Sequence, residues 1–501
     1  MLEFWRNPEY VRHVRAELRP PRSITAGLLV LVICALIGLA CWSAERKDLH
    51  EFFRVFHVWL VSIQFTLLGF WCASNCGQAI SRERELKTYD FLKTTRLTST
   101  ELMIGKTLGA PIMAYFVVGC SLPVSLLTGL LGGYGAGMLA SVYALLIVFA
   151  LFISLLGLWI SMLLEKSSSA AVALLALFPI AWSFGFAYGP FPSLAGISIF
   201  PAIFGLYNVD TGMLRSKPTL FGMSVSYPLL TVLLYAAFGA WLALMLIRNL
   251  KKDREQIRLL SRWEAVGFAA FLNVLFYACL DPKLMTGKGL DSARPEDMSS
   301  LAVGVNGFFL LFVGLATLTP HEKLKVWWRR RLSGEEGYFS ESGLPWPWLV
   351  ASALVAYALL AAEALGMGGA ITLDRWHLGT AAVQLLALLI FAARDILFLQ
   401  WCNITSMKRP LVKGVLYLGL YYVAVSIFAL VASISSSSSA PFVFQLFTPW
   451  GVFLEQNRAL TDTPGVWVGI GLQLFLAMVV LKAISGRLRR PATFRAEAAA
   501  A

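Results

Sequence analysis

The sequence predicts an all-α polytopic membrane protein of about twelve transmembrane helices, and three observations predict it. Hydrophobic residues make up 58% of the 501 and charged residues only 14%, with a mean hydropathy of +0.69; soluble domains carry roughly a quarter charged residues. About twelve apolar runs approach the roughly 20 residues that a helix needs to cross a bilayer. The basic residues fall in alternate loops rather than in one patch. With the N-terminus inside, roughly 32 of the 42 Lys/Arg lie on one side, the bias of a bundle with both termini cytoplasmic. The net charge of +13 is therefore a topology signal, and the expected partner surface is the lipid bilayer and not nucleic acid.

In chain order the runs are Ile24–Trp42, Phe56–Ala73, Thr107–Leu131, Gly137–Leu164, Ser169–Tyr188 and Ser226–Ile247, then Ala265–Leu280, Leu301–Leu318, Trp348–Ala364, Leu378–Leu397, Val412–Ser433 and Val466–Leu481. Before the first run, Phe4, Trp5, Tyr10, Val11, Val14 and Leu18 alternate with Arg residues up to Pro20-Pro21. That pattern predicts an amphipathic interfacial helix over residues 2–20, closed by the prolines. The opening residues are too polar for a signal-peptide core, so the first run is expected to stay as an anchor.

The loops repeat their order. Residues 1–250 form a first six-span half, 251–263 a basic linker and 264–501 a second, divergent half. Each half has a long charged inner segment after its second span and an outer Pro/aromatic stretch before its sixth. These stretches are Gly189–Ser193 with Phe200–Phe204, and Ala440–Phe444 with Thr448–Phe453. Their apolar character predicts short re-entrant or surface-lying helices. Six spans return the chain to its starting side, so the halves are parallel, with a pathway between them.

Several chemistries lack their residues. The seven Cys lie mostly in spans and read as small packing groups; Cys72 and Cys76 are one turn apart, but no further ligand completes a metal site. Thr100-Glu-Leu-Met-Ile-Gly105-Lys106-Thr107 resembles a phosphate loop only superficially, because it reads as helix with no strand before it. Glu45, Asp48, His50 and Glu51 read as a solvated outer loop. Glu165, Lys166, Glu363, Arg394 and Asp395 are placed near span ends, which leaves Gln64, Asn273, Asn306, Gln384 and Gln473 as the polar residues available to line a pathway. Such amides more often bond between helices.

Ser81–Lys106, SRERELKTYDFLKTTRLTSTELMIGK, is the most informative stretch. It carries six Lys/Arg and four Asp/Glu between two apolar runs, while Leu86, Tyr89, Phe91, Leu92, Leu97, Leu102 and Ile104 recur closely enough to give one helix an apolar stripe. The segment resembles the inner segment of permeases of type-2 ATP-binding-cassette (ABC) exporters, through Arg82-Glu83-Arg84-Glu85, Lys87-Thr88, Phe91-Leu92, Thr95-Arg96-Leu97, Glu101-Leu102 and Gly105-Lys106. Two positions depart from that pattern: Lys87 stands where Gly is usual and Arg96 where Pro is usual. The resemblance covers the first half. In the second it thins to Thr317-Leu-Thr-Pro320-His-Glu-Lys-Leu324, followed by Trp327-Trp328-Arg329-Arg330-Arg331.

The resemblance implies a multi-pass permease subunit of a cytoplasmic (inner) membrane exporter that does no chemistry and binds no cofactor. ATP and magnesium would sit on a separate ABC ATPase, in two copies, docked on a coupling helix. On that helix Leu86, Tyr89, Phe91, Leu92 and Leu97 are the expected apolar knobs, with Arg84, Lys87 and Arg96 as rim charges. Two other classes remain open on the residues alone. One is an ATP-independent two-bundle carrier, disfavoured by the shortage of membrane-depth charge, and the other a non-transporting scaffold or sensor.

Overall fold

The computed structural model describes residues 6–44, 48–163, 177, 192–207, 218–221, 223–252, 260–279, 295–364, 375–405, 410–435, 446–449 and 464–489. Contacts divide the chain into two compact units, Met1–Thr219 with Ser224–Leu259, and Leu220–Met223 with Leu260–Ala501. Among the described residues the only sheet is the pair β1 (Thr219–Leu220) and β2 (Met223–Ser224); the rest of the regular structure is helical.

In the first unit, the Asn7 side chain caps α1 (Pro8–Glu17) by accepting from the Glu9 and Tyr10 amides. Pro20 and Pro21 do not merely close that helix: they begin α2 (Pro20–Ala44), where a first turn has no use for the missing N–H. Asp48 caps α3 (Leu49–Ala79), accepting from the His50 and Glu51 amides, so this end of the acidic loop is a helix start.

The stretch expected as one striped helix is three. It comprises α4 (Ser81–Glu85), α5 (Tyr89–Thr94) and α6 (Ser99–Gly109), together called the elbow below. The first break sits at Lys87, whose φ is +57°. A left-handed backbone costs an ordinary L-residue about 1 kcal/mol or more, and Lys87 is where the resembled pattern has Gly. Lys87→Gly is expected to raise the thermal midpoint of the purified chain by relieving roughly 0.5–1 kcal/mol. A lowered midpoint, as for glycine inside a helix, would contradict the break. The second break ends at Thr98, which starts α6 in a capping box with Glu101.

The unit then continues through α7 (Ile112–Leu131) and α8 (Ala136–Leu163). Helix α3 is the hub, packed on α2, α7 and α8. Small residues set its approach to α8. A Cβ on Gly157 would lie 3.0 Å from the Ala73 carbonyl oxygen, and one on Gly69 would lie 3.2 Å from Phe149. Cys72 and Cys76 are fully buried on the same helix, and each acts as a small core residue. A 3-10 turn (Pro192–Ile197) and α9 (Phe200–Leu206) then lie against α10 (Tyr227–Asn249). Tyr235 donates to the Ile197 carbonyl (3.0 Å), and the Tyr207 hydroxyl lies 2.9 Å from His57 Nε2. The described part of the first Pro/aromatic stretch, Pro192, Ser193 and Phe200–Phe204, thus folds onto the helices; most of the second lies outside the described residues.

The second unit holds α11 (Arg262–Ala278), α12 (Pro295–Ala316), α13 (His321–Leu332), α14 (Trp346–Ala364), α15 (Arg375–Ile404), α16 (Pro410–Ser435) and α17 (Pro464–Arg489). Helix α15 is its hub, packing on α12, α14, α16 and α17. The α12–α15 seam is close enough that a Cβ on Gly314 would collide with the Ile396 side chain. Helix α13 leaves α12 at 86°. The bend is held by Gln400, which exchanges hydrogen bonds with the Thr319 backbone (3.0 and 2.8 Å), and by the buried Arg262 guanidinium. That guanidinium donates to the carbonyls of Thr317 (2.8 Å), Ser340 (2.8 Å) and Gly343 (2.7 Å).

Among the described residues seven helices are long and apolar enough to cross a membrane (α2, α3, α7, α8, α10, α15 and α17), or eight if the bent α12–α13 pair is one span. Helices α14 and α16 add shorter apolar stretches, Trp346–Ala362 and Lys413–Phe428, and α11 has 17 residues. Apart from Leu177, the expected run Ser169–Tyr188 lies outside the described residues, as does the turn at Glu165-Lys166.

Candidate functional site: a clamped elbow and a buried ion pair

Lys106 is the organising residue of the first unit's charged end. It lies in α6 with no exposed surface, and an ammonium is almost never buried so completely without partners. Its Nζ donates to Glu9 Oε1 on α1 (3.0 Å) and to Glu83 Oε2 on α4 (2.7 Å). Arg12 closes the ring, donating to Glu9 Oε1 (2.8 Å) and Glu83 Oε1 (2.7 Å). Two cations and two carboxylates balance, with Arg12 reaching the ring from its half-exposed side.

Backbone geometry lets the ring form. A Cβ on Gly105 would lie 2.7 Å from the Glu9 Cβ and 2.9 Å from Asn7 Oδ1, and one on Gly109 would lie 3.0 Å from His13. Asn7 also donates from Nδ2 to the Glu101 carbonyl (2.6 Å). The Gly105-Lys106 pair therefore has a physical role. Glycine admits α1 and lysine holds it.

The elbow is tied to other helix ends as well. Ser161, at the end of α8, accepts from the Ile80 and Ser81 amides (3.1 Å each), and Arg84 donates to the Met162 carbonyl (2.9 Å). Tyr89 donates to the Leu250 carbonyl just after α10, and Lys251 donates to the Thr95 carbonyl (3.1 Å). A displacement of the elbow therefore reaches α1, α3, α8 and α10 together, because packed and hydrogen-bonded elements move as units.

These ties divide the residues expected to face a partner. Tyr89 and Leu92 are 4% and 5% exposed and pack with Met162, Leu246 and Leu250; they are anchors rather than docking knobs. Arg84 is half-buried, bonded inward and over the Tyr89 ring at 5.0 Å, so it is no rim charge. Leu97 is half-buried. Leu86 and Phe91, 64% and 73% exposed, stand outward with the exposed Lys87 and Arg96. The break at Lys87 causes this split, since a single helix would have put Phe91 and Leu92 on adjoining faces of one stripe.

The Glu9 carboxyl feels burial, which raises its pKa, and the opposing pull of His13, Lys106 and Arg12, which wins and holds it at about 2 against an ordinary 4.5. A depressed carboxylate pKa adds stability that is complete above pH 4.5 and is lost as the pH falls toward 2. The contribution is on the order of 3 kcal/mol. Acidification through that window is expected to free α1, read as new protease cleavage within Pro8–Glu17. Unchanged protection down to pH 2 would contradict the clamp.

The second unit contains what the sequence did not disclose. Arg394 and Asp395 do not lie near a span end. Helix α15 runs on to Ile404, which leaves roughly 15 Å of helix beyond them at 1.5 Å per residue. The pair therefore lies within the candidate span Leu378–Ile404 rather than at its end. Both side chains are buried. Arg394 Nε donates to Asp395 Oδ1 (2.8 Å), its two terminal nitrogens donate to the Tyr421 and Tyr422 hydroxyls (3.0 and 3.1 Å), and Tyr422 donates to Asp395 Oδ2 (2.5 Å). Gln473 of α17 accepts from Arg394 and donates to the Leu446 carbonyl. A cavity of about 250 Å3 borders the pair, lined also by Phe398, Tyr417 and Leu476.

Of the five expected pathway residues, Gln64 belongs to the first unit and the other four to the second. Gln64, in the first unit, donates to Ser121 Oγ (2.9 Å) and accepts from Tyr143 (3.4 Å), which is interhelical bonding. Asn273 donates to the Ala269 carbonyl of its own helix. Asn306 and Gln384 are buried on α12 and α15. Gln473 meets the Arg394 guanidinium.

Compared with known family models, curated proteins and solved structures, the chain matches none.

Proposed function

We propose that the chain is the permease subunit of an ATP-driven exporter, a cytoplasmic-membrane protein of twelve spans in two parallel halves. A separate ATPase docks on the elbow and binds the nucleotide and magnesium. The observation that supports this reading most is the pairing of two exposed apolar side chains, Leu86 and Phe91, with a charged element fastened to three helices, α1, α8 and α10, through Lys106, Arg84, Ser161 and Tyr89. Exposed apolar residues on a surface otherwise rich in charge mark a partner site. Rigid fastening is what a force-transmitting contact needs. Leu86 and Phe91 serve as the knobs, with Lys87 and Arg96 as the steering charges.

One observation favours a second reading. A buried, hydrogen-bonded Arg-Asp pair at membrane depth is the kind of group that ion-coupled carriers use, and it favours a gradient-driven two-bundle carrier. Proteoliposomes separate the two. Export that requires the partner and ATP, stops with vanadate and survives Asp395→Asn supports the permease. Uptake driven by a proton or sodium gradient without any partner, and lost in Asp395→Asn, would replace it.

A further inference from the structure

The second unit has a cleft of about 350 Å3 between α13, the segment leading to α14, and the last turns of α17. Its lining is cationic and aromatic. Arg331 comes from α13, Lys482 and Arg489 from α17, and Trp328 and Trp346 from either side. Among the described residues no Asp or Glu lines it, and none of the three cations has a carboxylate partner.

Arg331 is held in place without being neutralised. Its guanidinium carbon lies 3.2 Å from the centroid of the Tyr338 ring and 5.9 Å from that of Trp327, which orients the donors and leaves them charged. The Trp328 indole N–H is buried with no acceptor among the described residues. The cleft therefore offers three positive charges, with the unpartnered Trp328 N–H buried in one of its lining residues. A phosphate oxygen set supplies the matching acceptors.

The surroundings indicate what carries the phosphate. From the cleft, α17 continues as an apolar face with Leu474, Phe475 and Met478 exposed, a surface suited to acyl chains. Tryptophans lie at the head-group level in membrane proteins, and basic clefts between helices at the membrane boundary bind anionic head groups. We propose that this cleft binds the phosphate of an anionic glycerophospholipid, with its chains along the outer face of α17. The site does not depend on whether the chain is a permease or a carrier, so its test stands apart from either.

The test uses the full-length chain, delipidated in detergent and titrated with phosphatidylglycerol, phosphatidylcholine or inorganic phosphate, with bound lipid counted by native mass spectrometry. Phosphatidylglycerol is expected to be retained over phosphatidylcholine, and the preference to fall roughly fivefold for each cation removed in Lys482→Gln and Arg331→Gln. Removing two exposed charges elsewhere, Arg329→Gln with Lys413→Gln, is expected to leave the preference unchanged. The melting temperature in phosphatidylcholine guards against misfolding, and Lys482→Gln, at an exposed position, is the variant least exposed to that objection. Equal retention of the two lipids, or equal loss in the control pair, overturns the proposal. So does saturation of the site by inorganic phosphate at the expense of phosphatidylglycerol.

Discussion

Lys106→Met is expected to destabilise the first unit by about 3–5 kcal/mol, the usual consequence of leaving buried carboxylates without their cation. Lys106 is the one group that touches Glu9 and Glu83 from inside the fold, whereas Arg12 reaches them from the half-exposed side. The loss should be local before it is global. Hydrogen exchange at the α1 amides is expected to accelerate ahead of that in α3, since α1 is joined to the rest mainly through this ring, Asn7 and the two glycine contacts. The triple variant Glu9→Gln, Glu83→Gln, Lys106→Met removes all three buried charges together and is expected to recover most of the stability. If Lys106→Met alone exchanges at wild-type rates, the ring is incidental.

The second large effect concerns the outward face. Leu86→Asp with Phe91→Asp is expected to reduce co-purification of the proposed ATPase partner more than about 100-fold, because each knob is worth about 2 kcal/mol in a desolvated contact. The fold should not notice, as both side chains are mostly exposed. Leu92→Asp gives the contrasting result. It puts a carboxylate into the cluster with Met162 and Leu246 and is expected to lower the melting temperature with or without the partner. Retained association in the Leu86/Phe91 variant would remove the docking assignment while leaving the clamp standing.

Much of the class was legible because it follows from hydropathy. The runs that became α2, α3, α7, α8, α10, α15 and α17 announce themselves by length and composition, and the capping box at Thr98–Glu101 can be read as letters. The elbow's shape could not be read in the same way. Periodicity assumes an unbroken helix, and Lys87 carries no sign of the left-handed backbone that a glycine would have advertised. Once the helix breaks there, the apolar positions rephase, and Leu92 turns inward while Phe91 turns out.

The Glu9–Lys106 contact joins residues 97 positions apart, beyond the reach of any local pattern. A Gly-Lys pair just before an apolar run, with a carboxylate in an amphipathic leader helix, was the available hint. Arg394 and Asp395 were misplaced for a different reason. Two adjacent charges look like the end of a span, whereas Tyr421, Tyr422 and Gln473 neutralise their cost within the bundle and allow α15 to continue to Ile404.

The most direct measurement is site-specific photo-crosslinking from the elbow in intact cells, with the reactive side chain placed at Phe91 and, as a buried reference, at Leu92. Phe91 is expected to yield an adduct with a soluble nucleotide-binding protein, and Leu92 none. Adducts from Phe91 only to lipid, to an extracytoplasmic protein or to nothing would contradict an elbow that takes force from an ATPase.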